Sequence, residues 1–257
     1  MRPIWKGTLC FGLVNIGIKL FSACVDRELK FHLFHSKDKS PIKYLKICEK
    51  EQKEVDPDET VKGFEISKGK YVFLDDSDFE KANIHKTNSI EIESFAKIPE
   101  IDPIFYERPY YLVPEKTAQK AYYLLSDAME QKNVAAIARF VLKNHEYLGA
   151  IIIKDKMMVL HQLRFLNEIK QAKVTIKNPV KSAKEHNIAV KLIEELSEKF
   201  NPEKYRDSYV EDLKDLIQKK AKGKKIVPKG KKPRKTKSGE LFDALSESLK
   251  KRKKISA

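Results

Sequence analysis

The sequence predicts a mainly β protein with some helix, and three observations carry that expectation. Short runs that alternate apolar and polar residues, rich in β-branched and aromatic side chains, recur from Ile4 to Phe165, and a period of two marks strands. From about Lys173 the apolar residues recur every fourth position instead, the spacing of a helix face. Past residue 218 lysine, glycine and proline dominate, a composition with almost nothing to bury.

At the start, Ile4, Lys6, Thr8 and Cys10 alternate with Trp5, Gly7, Leu9 and Phe11. Ile16, Ile18 and Leu20 then alternate with Gly17, Lys19 and Phe21. Gly12 and Asn15 mark the connection between two paired strands, and Trp5, the single tryptophan, is expected to anchor a core. Gly12, Asn15 and Lys19 interrupt the apolar stretch, so strands fit it better than a secretion signal. Residues 31–35 and 41–48 read as further strands about a polar turn. The acidic stretch 49–60 connects them to a hairpin of residues 61–66 and 70–74, with a short helix started by Asp56-Pro57 on the way. Asp75, Asp76, Ser77 and Asp78 are capping residues and should open a short helix through Ala82.

Residues 89–95 alternate isoleucine with glutamate, a strand with one solvated face. Tyr110 to Val113 stands between Pro109 and Pro114. Proline cannot donate to a ladder, so this strand is expected at a sheet edge. A helix follows over 118–130, burying Ala121, Tyr122, Leu125, Ala128 and Met129. Residues 134–142, 147–154 and 157–165 are three more strands, the last two joined tightly at Asp155-Lys156. Ile188, Leu192, Leu196 and Phe200 then form one helical stripe. Asn201-Pro202 restarts the chain as a cap followed by a first-turn proline. Tyr205, Tyr209, Leu213, Leu216 and Ile217 form a second stripe, and Leu241, Phe242, Leu245 and Leu249 a third. The expected organisation is a β core over residues 1–172, a helical arm over 173–218, a disordered basic linker over 219–239 and a short amphipathic helix with a basic end over 240–257.

Charge is placed unevenly. The formal charge is +15, yet residues 219–237 alone hold eleven Lys or Arg and no acid. Residues 238–257 hold five basic and three acidic side chains, which leaves 36 basic against 34 acidic over residues 1–218. Only the tail generates a large field. Three cysteines make no disulfide framework, which points to a reducing, cytoplasmic setting. No run approaches the roughly twenty apolar residues of a membrane span, so a membrane is not an expected partner.

A catalytic constellation is missing from the motifs. Residues 63–70 place two glycines before a lysine, but the spacing is one residue too long for a phosphate loop. Tyr71 also stands where a magnesium-binding hydroxyl belongs. Residues 12–17 have glycine spacing alone. His32 and His35 point to opposite faces of a strand, so one metal cannot easily take both, even with Cys48 nearby. Cys10 and Cys24 suit core positions, and Asp75, Asp76 and Asp78 suit caps. No metal and no cofactor is expected. What remains is binding. Lys43, Lys46, Lys62, Lys68 and Lys70 could line a groove for phosphates. The tail lysines and arginine, Lys224, Lys225, Lys229, Lys231, Lys232, Arg234 and Lys235, must attract polyanions with steep salt dependence.

Several stretches resemble the bacterial Ku proteins. Arg2, Ile4, Trp5, Gly7, Phe11, Gly12, Leu13, Val14, Asn15, Lys19, Leu20, Ser22 and Ala23 match the opening pattern of that family. Asp102, Pro103, Ile104, Pro109, Tyr110, Tyr111, Leu112 and Pro114 match an internal one. Lys120, Ala121, Tyr122, Leu124, Leu125 and Ala128 fit a helical element. Phe200, Pro202, Glu203, Lys204, Tyr205, Asp207 and Tyr209 fit a later one. The Cys-x-x-Cys that many relatives carry at Cys48 is broken here, because the partner position is Glu51. The resemblance implies a Ku-type β-barrel core with inserted bridge strands forming a ring, and a homodimer that threads double-stranded DNA ends. It also implies a non-enzymatic role in non-homologous end joining, with recruitment of an ATP-dependent DNA ligase. On that reading Tyr205, Tyr209, Leu213 and Leu216 make dimer contacts, and Leu241, Phe242, Leu245 and Leu249 dock the ligase. The competing expectation is a nucleic-acid packaging protein that acts mainly through its basic tail.

Overall fold

Strand β1 (Trp5–Phe11) turns back on β2 (Val14–Ser22) through Gly12, whose φ of +57° is a conformation glycine adopts freely. This hairpin begins a closed barrel in the computed structural model, which describes residues 2–25, 29–82, 88–142, 145–172, 182–223 and 241–255. The chain divides into two units, Met1–Ala172 and Lys173–Ala257.

In the first unit, after an insertion that holds β3 (Lys62–Ser67), β4 (Lys70–Leu74) and α1 (Asp76–Ala82), the barrel is completed by β5 (Ser89–Lys97), β6 (Tyr106–Pro114), β7 (Val134–Leu142), β8 (His145–Lys154) and β9 (Met157–Leu163). The order around it is β1-β2-β6-β9-β8-β7-β5, and β5 closes onto β1 by the one parallel pairing. Closure removes every free edge from this sheet. Leu9, Ile16, Ile18, Leu20, Ile90, Leu112, Ile151, Met158 and Leu160 are essentially inaccessible to solvent and fill the interior. The tight link at Asp155 and Lys156 holds both residues at positive φ, 50° and 60°, the signature of a two-residue hairpin turn. Trp5 is half-buried against the core, and its ring folds over Gly7, where a Cβ would collide with that ring and the Asn88 carbonyl.

The strand expected at an edge is interior. β6 pairs with β2 on one side and β9 on the other. The missing N–H of Pro109 falls where the β6–β9 register shifts between Tyr106 and Pro109, so a bulge absorbs it. Helix α2 (Gln119–Lys132) lays Tyr122, Leu125 and Met129 into the same core. The Tyr122 hydroxyl donates to the Leu112 carbonyl (2.8 Å) and accepts the Met158 N–H (2.7 Å), tying the helix to the pair where β6 meets β9. A second, smaller cluster of Ala135, Ala150 and Leu163 is covered by Ile98, Ile101, Phe105 and Tyr106.

Between β2 and β5 the chain makes a long excursion. It carries β3 (Lys62–Ser67), β4 (Lys70–Leu74) and α1 (Asp76–Ala82). The strands expected over 31–35 and 41–48 reduce to two isolated bridges, Phe34 with Pro41 and Ile47 with Glu54. The cause is two turns of the same pattern. The His35 N–H donates to Ser40 O (2.8 Å) and Lys39 N–H to His35 O (2.9 Å); Cys48 N–H donates to Lys53 O (2.9 Å) and Gln52 N–H to Cys48 O (2.8 Å). Lys39 and Gln52 take φ of 60° and 55°. Each turn folds the chain back on itself, and one further bond across the fold follows it, from Ile42 N–H to Leu33 O (3.0 Å) and from Val55 N–H to Lys46 O (2.9 Å).

The second unit is helical, with α3 (Ala183–Leu196), α4 (Ser208–Ala221) and α5 (Leu241–Ile255). Asn201 caps only a 3-10 turn, Pro202–Lys204, and α4 begins later, under Asp207, whose carboxylate accepts the Val210 N–H. α4 runs to Ala221, so the basic stretch expected to be unstructured from 219 starts inside a helix. Lys219 pairs with Asp215 one turn back (3.8 Å), and cations suit a helix C-terminus. Within this unit α3 and α5 pack on each other.

Candidate nucleic-acid interface

The excursion has a composition at odds with its exposure. Phe31, Phe34, Tyr44, Leu45, Ile47, Val61, Phe64, Ile66, Tyr71 and Phe73 are all exposed, several of them above 65%. β3 and β4 form a two-stranded ribbon whose described residues pair only with each other. Both faces carry apolar side chains: Phe64 stands opposite Val72, and Gly63 opposite Phe73.

The five lysines singled out from the sequence all lie on this excursion. Lys43 and Lys46 sit on its exposed first half, and Lys68 and Lys70 at the tip of the ribbon beside Gly69. Lys62 is tethered at the base: it reaches Asp76 (3.5 Å) and lies 4.5 Å above the Phe79 ring. Residues 29–75 hold ten Lys against nine Asp or Glu, so no broad positive field results and the placement of single lysines must decide what binds. Residues 63–70, which place two glycines before a lysine, are strand β3 and its turn into β4, with Gly69 at φ +76°.

His35 Nδ1 lies 3.0 Å from the Asp38 carboxylate, which also accepts the N–H and hydroxyl of Ser40 (2.9 and 2.7 Å). These bonds hold the Asp38 pKa below the ordinary carboxylate value. No group of three His, Cys, Asp or Glu side chains comes together to hold a metal among the described residues. Burial, and after it the Glu91 carboxylate, pushes the Cys10 thiol up, away from the reactive thiolate. The described residues include no helix long and apolar enough to cross a membrane.

In the second unit Tyr205 and Tyr209 are 66% and 73% exposed, while Leu213 and Leu216 are half-buried. Tyr205 stacks on Phe200 with ring centroids 5.8 Å apart. Leu249 shares a small hollow with Lys191, Glu194 and Glu195 of α3, and Leu245 is half-buried, whereas Leu241 and Phe242 remain 40% and 41% exposed. Lys224, Lys225, Lys229, Lys231, Lys232, Arg234 and Lys235 lie outside the described residues.

One basic feature is invisible to sequence reasoning. Lys6 and Lys19 stand directly opposite each other on β1 and β2, on the outer wall of the barrel. Each occupies the polar side of its own alternation, which is legible, but their juxtaposition depends on register. Next to them Lys6, Thr8, Asn15, Asn88 and Glu115 line an open cleft of about 690 Å³.

A closed barrel carrying a long apolar excursion, with a lysine-rich stretch near the end of the sequence, defines a mainly β barrel protein whose candidate binding residues lie outside the barrel core. The particular family follows from comparison: residues 10–192 match the model of the Ku70/Ku80 beta-barrel domain, and the chain belongs to the Ku family. It is 38% identical to the non-homologous end joining protein Ku of Heliobacterium modesticaldum over 252 residues, 97% of this chain and 91% of that one. The protein of the same name from Archaeoglobus fulgidus is 41% identical over 88% of this chain and 91% of its own. That of Bacillus subtilis is 36% identical over 97% and 82%. Ku proteins are non-enzymatic, DNA-binding scaffolds of end joining, and this chain takes its place among them.

Proposed function

We propose that two copies of the chain close a ring around the end of a DNA duplex, protect and bridge such ends, and recruit an ATP-dependent DNA ligase to join them. The observation that carries this reading is the excursion of residues 29–75, which holds apolar side chains in water with no core of their own. Apolar surface of that extent marks a site of association, and a second copy supplies a self-complementary partner at once. Lys43, Lys46, Lys62, Lys68 and Lys70 then face the sugar–phosphate backbone, whose contacts carry affinity without base identity. Lys224, Lys225, Lys229, Lys231, Lys232, Arg234 and Lys235 add charge that gathers any nucleic acid. Tyr205, Tyr209, Leu213 and Leu216 contribute dimer contacts, for which the two exposed tyrosines are suited. The ligase meets α5 at the solvent-facing end of its apolar stripe, Leu241 and Phe242, with Leu245 and Leu249 behind.

The test compares linear duplex with covalently closed circles of equal length. A ring admits DNA only by its end, so cut fragments should be bound and closed circles refused once the protein is challenged with salt. Deleting residues 219–257 should lower affinity and keep the end preference. Equal retention on both substrates, or loss of all discrimination on deletion, would identify a packaging protein that works through its tail.

A further inference from the structure

We infer that α5 is self-docked: α3 occupies the inner half of its apolar stripe and competes for it with the ligase, whose own surface therefore repeats the chemistry of α3, an apolar strip ending in carboxylates. The competition rests on the ligase-docking reading above; the self-docking does not. Leu241, Phe242, Leu245 and Leu249 share one face of α5, yet they are not equally accessible. Leu241 and Phe242 are 40% and 41% exposed, whereas Leu245 and Leu249, one and two turns on, are half-buried. The cover is α3: the two helices pack on each other, and Leu249 shares its hollow with Lys191, Glu194 and Glu195.

Both helices depend on this contact. α3 has 14 residues and α5 has 15, lengths at which a helix alone in water is marginal and is stabilised chiefly by packing an apolar face. On α3, Ile188 and Leu192 are half-buried and lie on the same face as Glu195, while Ile193, off that face, is 63% exposed. The hollow around Leu249 holds two carboxylates and one ammonium of α3, and the sequence continues from Leu249 as five consecutive basic residues, Lys250 to Lys254. The net negative charge of α3 thus stands where the basic run of α5 begins, and charge complementarity of that kind fixes the register of a contact.

A ligase cannot take the whole stripe while α3 holds half of it. Leu241 and Phe242 are exposed for first contact, and full engagement displaces α3. The apparent affinity is then the intrinsic one multiplied by the fraction of chains with α5 released, so release in about one chain of ten weakens binding about tenfold. Because one face of α5 serves both occupants, the ligase surface is apolar, with acidic residues at the end that receives Leu249.

The experiment uses the full chain. Glu194→Lys with Glu195→Lys sets positive charge against the basic run without altering an apolar residue, and Leu192→Ser interrupts the strip itself. Ile193→Ser, off the contact face, is the control. Amide exchange over residues 245–249 should quicken about tenfold in the first two, as local opening becomes easier, and stay unchanged in the control. A fluorescent peptide of residues 241–255 gives a second readout. It should bind a full chain carrying Leu245→Ser with Leu249→Ser, whose α3 face is vacated, and be refused by the parent. The ATP-dependent ligase should bind the charge-reversed chain about tenfold more tightly than the parent. Unchanged exchange in both α3 variants, or a peptide treated alike by the parent and the vacated chain, overturns the self-docking. Released α5 with no gain in ligase affinity overturns the competition. Should Leu241→Ser with Phe242→Ser leave ligase binding intact, the docking reading above is what fails, while exchange and peptide binding still decide the contact between α3 and α5.

Discussion

The barrel and the excursion it carries use their apolar side chains in opposite ways. In the barrel, Leu112, Ile151, Met158 and Leu160 are wholly withdrawn from water. In the excursion, Phe64 and Phe73 are 67% and 68% exposed although they sit in a regular hairpin. The barrel fills its interior with its own side chains and those of α2. A two-stranded ribbon alone in water is marginal, so the apolar residues of the excursion can be stabilising only against something that is not this chain's own core.

Four measurements break or sharpen that contrast. Leu112→Ala should cost the barrel about 2–5 kcal/mol in urea unfolding, the usual price of a core cavity. The same truncation at Phe64 should leave the unfolding midpoint of the dilute chain unmoved. Tyr122→Phe should cost about 1–3 kcal/mol, because the Met158 N–H loses its acceptor and the Leu112 carbonyl loses a donor in a buried place. A smaller loss would mean that α2 is held by packing alone. Phe64→Ala with Phe73→Ala should weaken self-association at least tenfold, about 1.4 kcal/mol, read by sedimentation. Unchanged association would remove the excursion from the dimer interface.

The smallest effect concerns α1, where the excursion returns to the barrel. Asp75 accepts the Asp78 N–H (2.9 Å) and Asp78 accepts the Asp75 N–H (3.1 Å), a reciprocal cap. Hydrogen bonds from Ser77 and Asp78 lower the Asp75 pKa below its ordinary value. A depressed carboxylate stabilises the folded form above its unfolded pKa and loses that contribution as pH falls through the folded one. α1 should therefore fray only in acid below the ordinary aspartate range, seen as faster amide exchange at Phe79, and Asp75→Asn should remove the pH dependence.

Alternation made most of the barrel legible, because each of its strands buries one face, and the helix spacing of Tyr122, Leu125 and Met129 located α2 as clearly. Pro109 misled: proline says only that a ladder bond is missing, and a bulge inside a sheet supplies that as well as an edge does. Residues 31–35 and 41–48 misled for another reason. Their apolar residues alternate as in strands, but with no sheet to join, the turns at His35 and Cys48 set the backbone. The opposition of Lys6 and Lys19 could not be read at all, since two polar positions in separate strands meet only once the register is known. Of the residues singled out for DNA, Lys62, Lys68 and Lys70 are placed by the ribbon and its turn, Lys43 and Lys46 lie on the irregular chain before it, and the tail residues have charge as their only legible property.

The ribbon formed by β3 and β4 keeps the outer backbone groups of both strands without strand partners among the described residues. Edges of that kind are templates for any extended peptide of suitable length. Until that margin is covered, a stray extended polypeptide of suitable length can add to it as a third strand.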